Sequence, residues 1–446
     1  MRRLLLCVCL LLISATSLLS QVEPAATGGG LDLDDLHMMT PPPVSGDAYP
    51  VMVGSEVRSN YMTAGLVFTG AYMDDLLVAN SAGKPVSDSS YTFLPTFGFD
   101  RRTPRHGETL TYSSGFTLYQ NTTELNGVSQ NAEAGYRFHI TPYALIEIQD
   151  RFSQNYNLYN RGNPFVGGGV AGTPGPSNGV IIAPLENQLG NLSSAAFDYQ
   201  YGKNAMIGGT GSYSFLNFSD VSKSQGLNNG DTTNATAFYS RRIARSEYLG
   251  AIYQFSNYET QPVDTYTRSH TVYGFYTHYF TQSFSLSILA GPEHYMFWNS
   301  TDPKQGAWTP AVQGSFGWQA TRWSASAGYS HIVSGAGGLI GTFHSHIGSL
   351  GAQRTLSRNW TTGVSGVYSL FKNVHSDSTL QVFGYGGHTL TGTAFLRRTI
   401  SGHVNIEGGY AHFHQSYANI PIASSLPDSN RGYVSIAYWF NRPLGR

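Results

Sequence analysis

The sequence predicts an all-β protein, a transmembrane antiparallel up-and-down β-barrel of about 18 strands, with 16 strands as the alternative. Three observations predict it. Apolar and polar residues alternate with a period of two, tight turns alternate with long polar loops, and aromatic residues gather near segment ends. Charged residues make up only 12% of the 446 residues, about half the share of a typical soluble domain. Such a low fraction of charged residues is typical of a β-sheet whose two faces are both covered.

The first 20 residues have the plan of a secretory signal peptide. A positive Met1–Arg3 precedes an apolar run over Leu4–Ile13, and small residues follow it. We expect cleavage near Ser20, with Ser17 as the alternative. A permanent anchor helix is the competing interpretation, but the apolar run is short for one. Both cysteines of the chain lie inside this run, so the mature protein would contain no disulfide.

Residues 21–58 are expected to form a periplasmic linker. Gly28–Gly30 and Pro41–Pro43 interrupt any regular structure, and no apolar pattern could build a core. The segment is also far too short for the large plug domain of an energised transporter. No later stretch approaches the roughly 18 apolar residues of a membrane helix, so any membrane crossing must use strands.

The barrel is predicted over residues 59–440, and the stretch NAEAGYRFHI (131–140) illustrates its logic. The even positions, among them Ala132, Tyr136 and Phe138, are apolar, whereas the odd positions include charged residues. In a membrane barrel the apolar face meets lipid and the polar face meets the lumen. Apolar pairs that continue this pattern in chain order are Leu66 and Phe68, Phe93 and Phe97, Tyr112 and Phe116, Ile146 and Ile148, Ile207 and Tyr213, Ala251 and Tyr253, Leu286 and Ile288, Phe316 and Trp318, Ala327 and Tyr329, Val364 and Tyr368, Ile406 and Tyr410, and Ile436 and Tyr438.

The connections are of two kinds, and they alternate. Tight turns are predicted at residues 141–142, 202–203, 244–245, 281–282, 321–322, 357–358 and 401–402. Long polar loops are predicted at 75–89, 121–130, 157–190, 219–232, 259–266, 299–307, 334–342, 374–384 and 418–429. Short turns on one side and long loops on the other are typical of outer-membrane barrels. Both termini fall on the short-turn side, and residues 441–446 form a C-terminal tail.

With these features the chain resembles the Gram-negative outer-membrane β-barrel proteins of porin type. The resemblance covers residues 59–440 and is architectural, because no motif defines a subfamily. The last strand, Gly432–Phe440, resembles the C-terminal assembly signal of such proteins, although six residues follow its aromatic end. The resemblance implies export to the periplasm, a place in the outer membrane, and contacts with membrane lipid and the barrel insertion machinery. It leaves a homo-oligomer open.

The predicted function is a passive, weakly selective pore for small hydrophilic solutes. Barrels of 16 to 18 strands are too wide for their own side chains to fill. The positions expected to line the pore are Glu133, Arg137, His139, Glu147, Arg151, Arg242, His403 and Glu407. Their mixed signs predict weak selectivity, and the balance of 26 Lys and Arg against 27 Asp and Glu argues against a nucleic-acid partner. Loop 157–190, the longest, is expected to fold into the mouth or lumen as a constriction.

Two other functions remain open: a structural or surface-exposed barrel without transport, and an outer-membrane hydrolase. Arg105–Glu108 spells the RHGE of phosphoglycerate mutases and acid phosphatases, but no buried strand precedes it, so we expect a solvated periplasmic turn. The pair Asp74–Asp75 is similar to the acidic pair of omptin-type proteases, but no second acidic–histidine pair is visible. The sequence therefore predicts no enzyme and no cofactor.

Two further features concern histidines and one carboxylate. His344 with His346, and His412 with His414, place two imidazoles on one strand face, a pattern that metal sites use. Without a third ligand we expect interfacial or lumen-facing histidines and no metal. Asp150 falls on the predicted lipid face, so either it lies near the outer interface or a β-bulge turns it inward.

Overall fold

The computed structural model describes residues 60–76, 85–155, 188–202, 204–218, 229–261, 265–281, 283–299, 304–335, 342–374, 386–417 and 428–444. They form a single sheet of 18 strands, each antiparallel to its neighbours in chain order. The sheet closes on itself because β1 pairs with β18 from Tyr61↔Pro443 to Met73↔Arg431. The predicted up-and-down barrel of about 18 strands is therefore confirmed.

The strands are 12 to 17 residues long, longer than the roughly 9 to 11 residues that cross a bilayer at a tilt. Their bounds are β1 Tyr61–Met73, β2 Asp88–Arg102, β3 His106–Tyr119, β4 Gly127–Thr141, β5 Ala144–Asn155, β6 Gln188–Tyr201, β7 Ala205–Phe218, β8 Asn229–Ala244, β9 Glu247–Gln261, β10 Thr265–Thr281, β11 Phe284–Asn299, β12 Gln305–Gln319, β13 Trp323–Gly335, β14 Thr342–Ser357, β15 Trp360–Asn373, β16 Gly387–Thr399, β17 Val404–Tyr417 and β18 Asp428–Pro443.

The two rims of the barrel differ in the lengths of their connections. One rim carries only short turns, such as residues 142–143 and 245–246, and the other carries every longer connection. The predicted long loop 259–266 is wrong, because β9 and β10 extend into it and leave only residues 262–264 between them. A single turn of 3-10 helix, Thr123–Leu125, lies in the second long connection. Among the described residues, no helix is long and apolar enough to span a membrane. The predicted signal peptide, the linker and most of loop 157–190 lie outside the described residues, and β18 continues past Phe440 to Pro443.

The outer surface of the barrel is apolar, and the alternation of each strand makes it so. On β18, Val434, Ile436 and Tyr438 are each about half exposed, at 58%, 49% and 50%. On β4, Tyr136 and Ile140 are exposed on the same face, while Glu133, Arg137 and His139 turn the other way. A closed barrel has no unpaired edges, and an apolar outer face matches lipid rather than water. The protein is thus a barrel of the outer membrane.

One place in the wall departs from this regular plan. Strands β12 and β13 pair only from Gln319↔Ser324 to Val312↔His331, although both continue toward the long-loop rim. Pro310 stands two residues beyond the last pair, and proline has no N–H to donate to a ladder. Pro292 lies directly opposite it on β11, and the β10–β11 ladder also skips two positions there. Each proline removes one hydrogen-bond donor at this point of the wall.

The lumen as the candidate functional site

The lumen-facing side of β4 and β5 carries two ion pairs. The Arg151 guanidinium lies 3.1 Å from Oε1 of Glu133, which also accepts a hydrogen bond of 2.7 Å from the Gln149 amide. Next to them, Arg137 lies 3.4 Å from Glu147. All four charges were predicted to face the lumen, and the alternation of β4 and β5 places them there together. Each of these four charges has an opposite partner, and Asp198 on β6 adds a third carboxylate beside Arg137 and Glu147.

A second charged cluster lies on the lumen side of β16, β17 and β18. Arg397 Nε donates to Glu407 Oε2 at 2.7 Å, and the Tyr433 hydroxyl donates to the other oxygen of Glu407 at 2.9 Å. Arg431 extends the cluster, with its guanidinium 5.3 Å from the Tyr433 ring centre. Glu407 was predicted from sequence, but its partners were not. These partners, Arg397 and Tyr433, can be identified only when the strand register is known, because it places β16 and β18 on the two sides of β17.

The remaining predicted residues occupy the short-turn rim or its approach. Arg242 donates to the carbonyl groups of Ala244 and Arg245, so it caps the β8–β9 turn. His403 lies in the turn between β16 and β17, not on a strand, and its Nδ1 is 2.8 Å from the Trp439 carbonyl oxygen. His139 faces the lumen near the same end of β4. The structure therefore places five predicted residues on β4 and β5, Glu407 on β17, and two at the short-turn rim.

Between the break in the β12–β13 ladder and the long-loop rim, the last residues of β13 and the first residues of β14 lie inside the barrel, against the inner face of the wall. Glu293 faces inward from β11, and its Oε2 accepts a hydrogen bond of 3.0 Å from the backbone N–H of Val333 on β13. The hydroxyls of Ser269 and Thr271 on β10 also donate to this carboxylate. Glu293 is 1% exposed. It thus supplies the acceptor that β12 would have given to β13 in an unbroken ladder.

Two more contacts show the same inward displacement. The hydroxyls of Thr267 on β10 and Thr342 on β14 are 2.5 Å apart, although three strands separate β10 from β14 around the wall. Tyr295, which faces inward from β11, meets His344 edge-on at 5.8 Å between ring centres. Stacked sheet layers lie about 10 Å apart, so the inward layer narrows the lumen on this side by about that distance.

The sequence motifs that were weighed for chemistry have structural roles in the folded barrel. Asp74 accepts hydrogen bonds of 2.7 Å from both the backbone N–H and the side-chain amide of Asn430, which joins the outer ends of β1 and β18. His106 of the RHGE motif lies at a short turn, with Nδ1 2.9 Å from the Tyr136 hydroxyl on the outer face. Neither arrangement holds a nucleophile beside a base in a closed site.

The predicted histidine pairs lie in two different places. His412 and His414 are on the outer, lipid-facing side of β17, whereas His344 lies where β14 packs inside β11, against Tyr295. His331 and His346 stack with ring centres 4.4 Å apart, and His344 lies 5.9 Å from His331. The His388 and His414 Nε2 atoms are 3.2 Å apart. Within the described parts of the chain, no three His, Cys, Asp or Glu side chains are grouped so that they could hold a metal ion.

Asp150 remains on the outer face, and no bulge turns it inward. The β4–β5 register runs without a break from Gln130↔Gln154 to His139↔Leu145. The carboxylate accepts hydrogen bonds from the Ser193 hydroxyl at 2.5 Å and the Asn191 amide at 3.2 Å, both on β6. A small polar patch on the outer surface therefore solvates this charge.

Sequence reasoning missed the groups that depend on strand register. Glu293, Arg397 and Tyr433 have partners 10 to 40 residues away in the chain. Asp198, which faces Arg137 and Glu147 from β6, was also missed. One signal was present in the sequence: Pro310 interrupts the apolar face between Trp308 and Val312.

No family model and no curated protein matches the chain. Among solved structures, it is similar to the outer membrane protein OpdK of Pseudomonas aeruginosa, with a TM-score of 0.41 and 11% identity over 85% of this chain and 99% of that one. P. aeruginosa OccK2 (OpdF) in complex with glucuronate gives 0.42 and 9% over 85% and 98%. The FrpB iron transporter of Neisseria meningitidis gives 0.44 and 9% over 87% and 82%. Similarities of this size do not define a function.

Proposed function

We propose that this outer-membrane barrel of porin type is a passive, weakly selective pore for small hydrophilic solutes. One observation carries the proposal: 18 strands close around an interior whose wall presents paired charges. A wall of this circumference is too long for its own side chains to fill the interior, so barrels of this strand number leave an aqueous channel. Such a channel gives water-soluble compounds a route through the apolar membrane.

The charge arrangement of the lumen supports weak selectivity. The pairs Glu133–Arg151, Arg137–Glu147 and Arg397–Glu407 each combine one positive and one negative side chain. A ring of one sign would attract one class of ion and repel the other, whereas paired charges largely cancel. The inward layer of β13 and β14 supports a limit on solute size, because it occupies part of the cross-section of the lumen next to β10–β12.

The test is single-channel conductance of the purified full chain in a planar bilayer, together with sugar uptake in liposome swelling. We expect steady ohmic conductance, modest preference between K⁺ and Cl⁻, and entry of small sugars only. Absence of conductance in correctly folded, heat-modifiable protein would remove the pore and favour a structural barrel. Loop 157–190, expected to narrow the mouth, is tested separately by deleting residues 165–183.

A pair of charge variants checks whether the predicted lumen is the conducting path. Glu133→Gln with Glu147→Gln removes two negative charges from the wall, so selectivity should shift toward anions. Glu108→Gln is the matched control, because Glu108 lies on the outer face at the short-turn rim, 4.0 Å from Arg101. An equal shift in the control would show that the selectivity does not arise in this lumen.

A further inference from the structure

Two imidazoles from neighbouring strands meet on the outer face of the barrel at its long-loop rim. The Nε2 atoms of His388 on β16 and His414 on β17 are 3.2 Å apart, whereas the ring centres are 5.1 Å apart, so the two nitrogens lie on the facing edges of the rings. Both residues follow the alternation of the exposed Leu390, which pairs with His414. The sequence grouped His414 with His412 and predicted no metal, but the register sets it beside His388. We call His388 and His414 the outer imidazole pair.

A carboxylate on the next strand orients one ring of the outer imidazole pair. The Nδ1 atom of His414 lies 2.8 Å from Oδ1 of Asp428, the residue directly opposite it on β18. An ionised carboxylate only accepts hydrogen bonds, so the neutral imidazole carries its hydrogen on Nδ1, and its Nε2 presents a lone pair toward His388. A carboxylate behind a histidine is the usual support of a metal-binding imidazole, because it fixes the ring and raises its basicity.

The spacing of the two Nε2 atoms matches that of two ligands on one metal ion. Zinc holds imidazole nitrogens at about 2.0–2.1 Å and prefers tetrahedral angles, which place two such nitrogens about 3.3 Å apart. The 3.2 Å within the outer imidazole pair is close to this value. The part of the chain that the structure describes contains no group of three His, Cys, Asp or Glu side chains suited to a metal ion, so water would take the two remaining positions.

The outer imidazole pair lies at the outer ends of its strands, where a cation arrives from the long-loop side of the membrane. His388 is the second residue of β16, and Asp428 is the first residue of β18. The side chains of Asp428 and His414 are 56% and 27% exposed. Tyr368, with its ring centre 5.9 Å from that of His388, is exposed on the membrane side of the pair, and tyrosines in such positions mark the edge of the hydrocarbon. The pair is therefore accessible from the aqueous phase.

We propose that the outer imidazole pair binds a divalent transition-metal ion of the kind that prefers imidazole, with Zn²⁺ as its representative. The Nε2 lone pairs of His388 and His414 coordinate the ion, and Asp428 supports His414 through Nδ1. Two water molecules complete a tetrahedron, which leaves the ion exchangeable and open to a further ligand from outside. Binding on the outer face does not depend on conduction through the lumen.

The experiment titrates the protein, purified from outer membranes and stripped of metal with a chelator, with ZnCl₂ by isothermal titration calorimetry. The test variants are His388→Gln and His414→Gln, each of which removes one ligand and keeps a polar side chain. We expect each variant to bind one Zn²⁺ at least about tenfold more weakly than the wild type, because losing even a supporting partner typically costs 10- to 100-fold in affinity. Equal zinc binding in the wild type and both variants overturns the proposal and leaves a metal-free hydrogen bond between the rings.

The matched control is His412→Gln. His412 lies on the same face of β17, two residues from His414, but its Nδ1 is 2.9 Å from Oδ1 of Asn430. We expect the control to bind zinc as the wild type does, and an equal loss in control and test variants overturns the assignment to the pair. Ca²⁺, which prefers oxygen ligands, should bind far more weakly than Zn²⁺. Equal affinity for the two ions would indicate a general charge effect and overturn the imidazole assignment.

A second measurement separates zinc binding from an effect on folding. An ion that binds only the folded protein stabilises it, so Zn²⁺ should raise the urea midpoint of the wild type in vesicles and leave that of His388→Gln unchanged. Without zinc the two proteins should unfold at similar urea concentrations and run alike as heat-modifiable bands. An equal rise with zinc in both proteins would contradict binding by this pair. Conductance is recorded on the same variants and should be unchanged, so the pore is tested independently.

Discussion

Glu293→Ala should destabilise the barrel and widen its lumen. The wild-type carboxylate accepts the Val333 N–H at 3.0 Å and is 1% exposed, so no water can replace it easily. A buried backbone N–H that loses its acceptor costs about 1 to 3 kcal/mol. The Ser269 and Thr271 hydroxyls lose the same acceptor, but they can rotate toward other partners. We therefore expect a loss of about 2 kcal/mol in the free energy of unfolding.

The assay is equilibrium urea unfolding in phospholipid vesicles, paired with single-channel recording. Glu293→Gln keeps an oxygen acceptor and removes a buried charge, so it should remain within about 1 kcal/mol of the wild type. Glu108→Ala controls for loss of an exposed carboxylate and should change stability by less than about 0.5 kcal/mol. In Glu293→Ala the released β13–β14 layer should also raise the conductance.

An Ala variant with wild-type stability and conductance would refute this reasoning. It would mean that Glu293 does not hold β13 against the inner wall. A fall in stability that the Gln variant shares in full would point instead to the charge itself. Only the pattern of a weakened Ala variant beside a near-normal Gln variant agrees with a hydrogen-bond acceptor for the displaced strand.

Two further predictions concern charged groups in opposite environments. A double-mutant cycle between Arg397→Gln and Glu407→Gln should give a coupling free energy of about 1 to 2 kcal/mol, because the side chains are only 13% and 14% exposed. Urea unfolding of the four proteins measures this coupling, and a value near zero would contradict the pairing. Asp150→Asn should raise stability in vesicles by about 1 kcal/mol, since it removes a lipid-facing charge while it keeps the polar contacts with Ser193 and Asn191; a loss of stability would show that the charge itself is needed.

The architecture was predictable from sequence because it depends on local pattern. Alternation along one strand identifies its two faces, as in NAEAGYRFHI, where the structure exposes Tyr136 and Ile140 outward. Loop lengths then decide which rim each strand end occupies, and neighbours in the chain become neighbours in the sheet. None of these inferences requires knowledge of a distant residue.

The broken ladder and the charged clusters were not predictable because they depend on register. Pro310 shows in the sequence that one donor is missing, but not that β13 responds by moving inside the wall. Glu293 resembles any other inward-facing charge until Val333, 40 residues later, is placed against it. The histidine pairs gave a similar problem, since two imidazoles on one face do not reveal whether that face meets lipid or lumen.

The closure of β1 on β18 has a consequence for how this barrel folds. Every other pairing joins strands that follow one another along the chain, whereas this seam joins its two far ends. Contacts between residues far apart in the sequence form late, because bringing them together costs conformational entropy before the contacts contribute any stabilising free energy. Until β1 and β18 pair, the backbone N–H and C=O groups along the free edge of each strand face a membrane core that offers them no hydrogen-bond partners. A peptide that copies β18 could therefore cap β1 in the nascent sheet and trap it open, which would show whether closure is the last step of assembly.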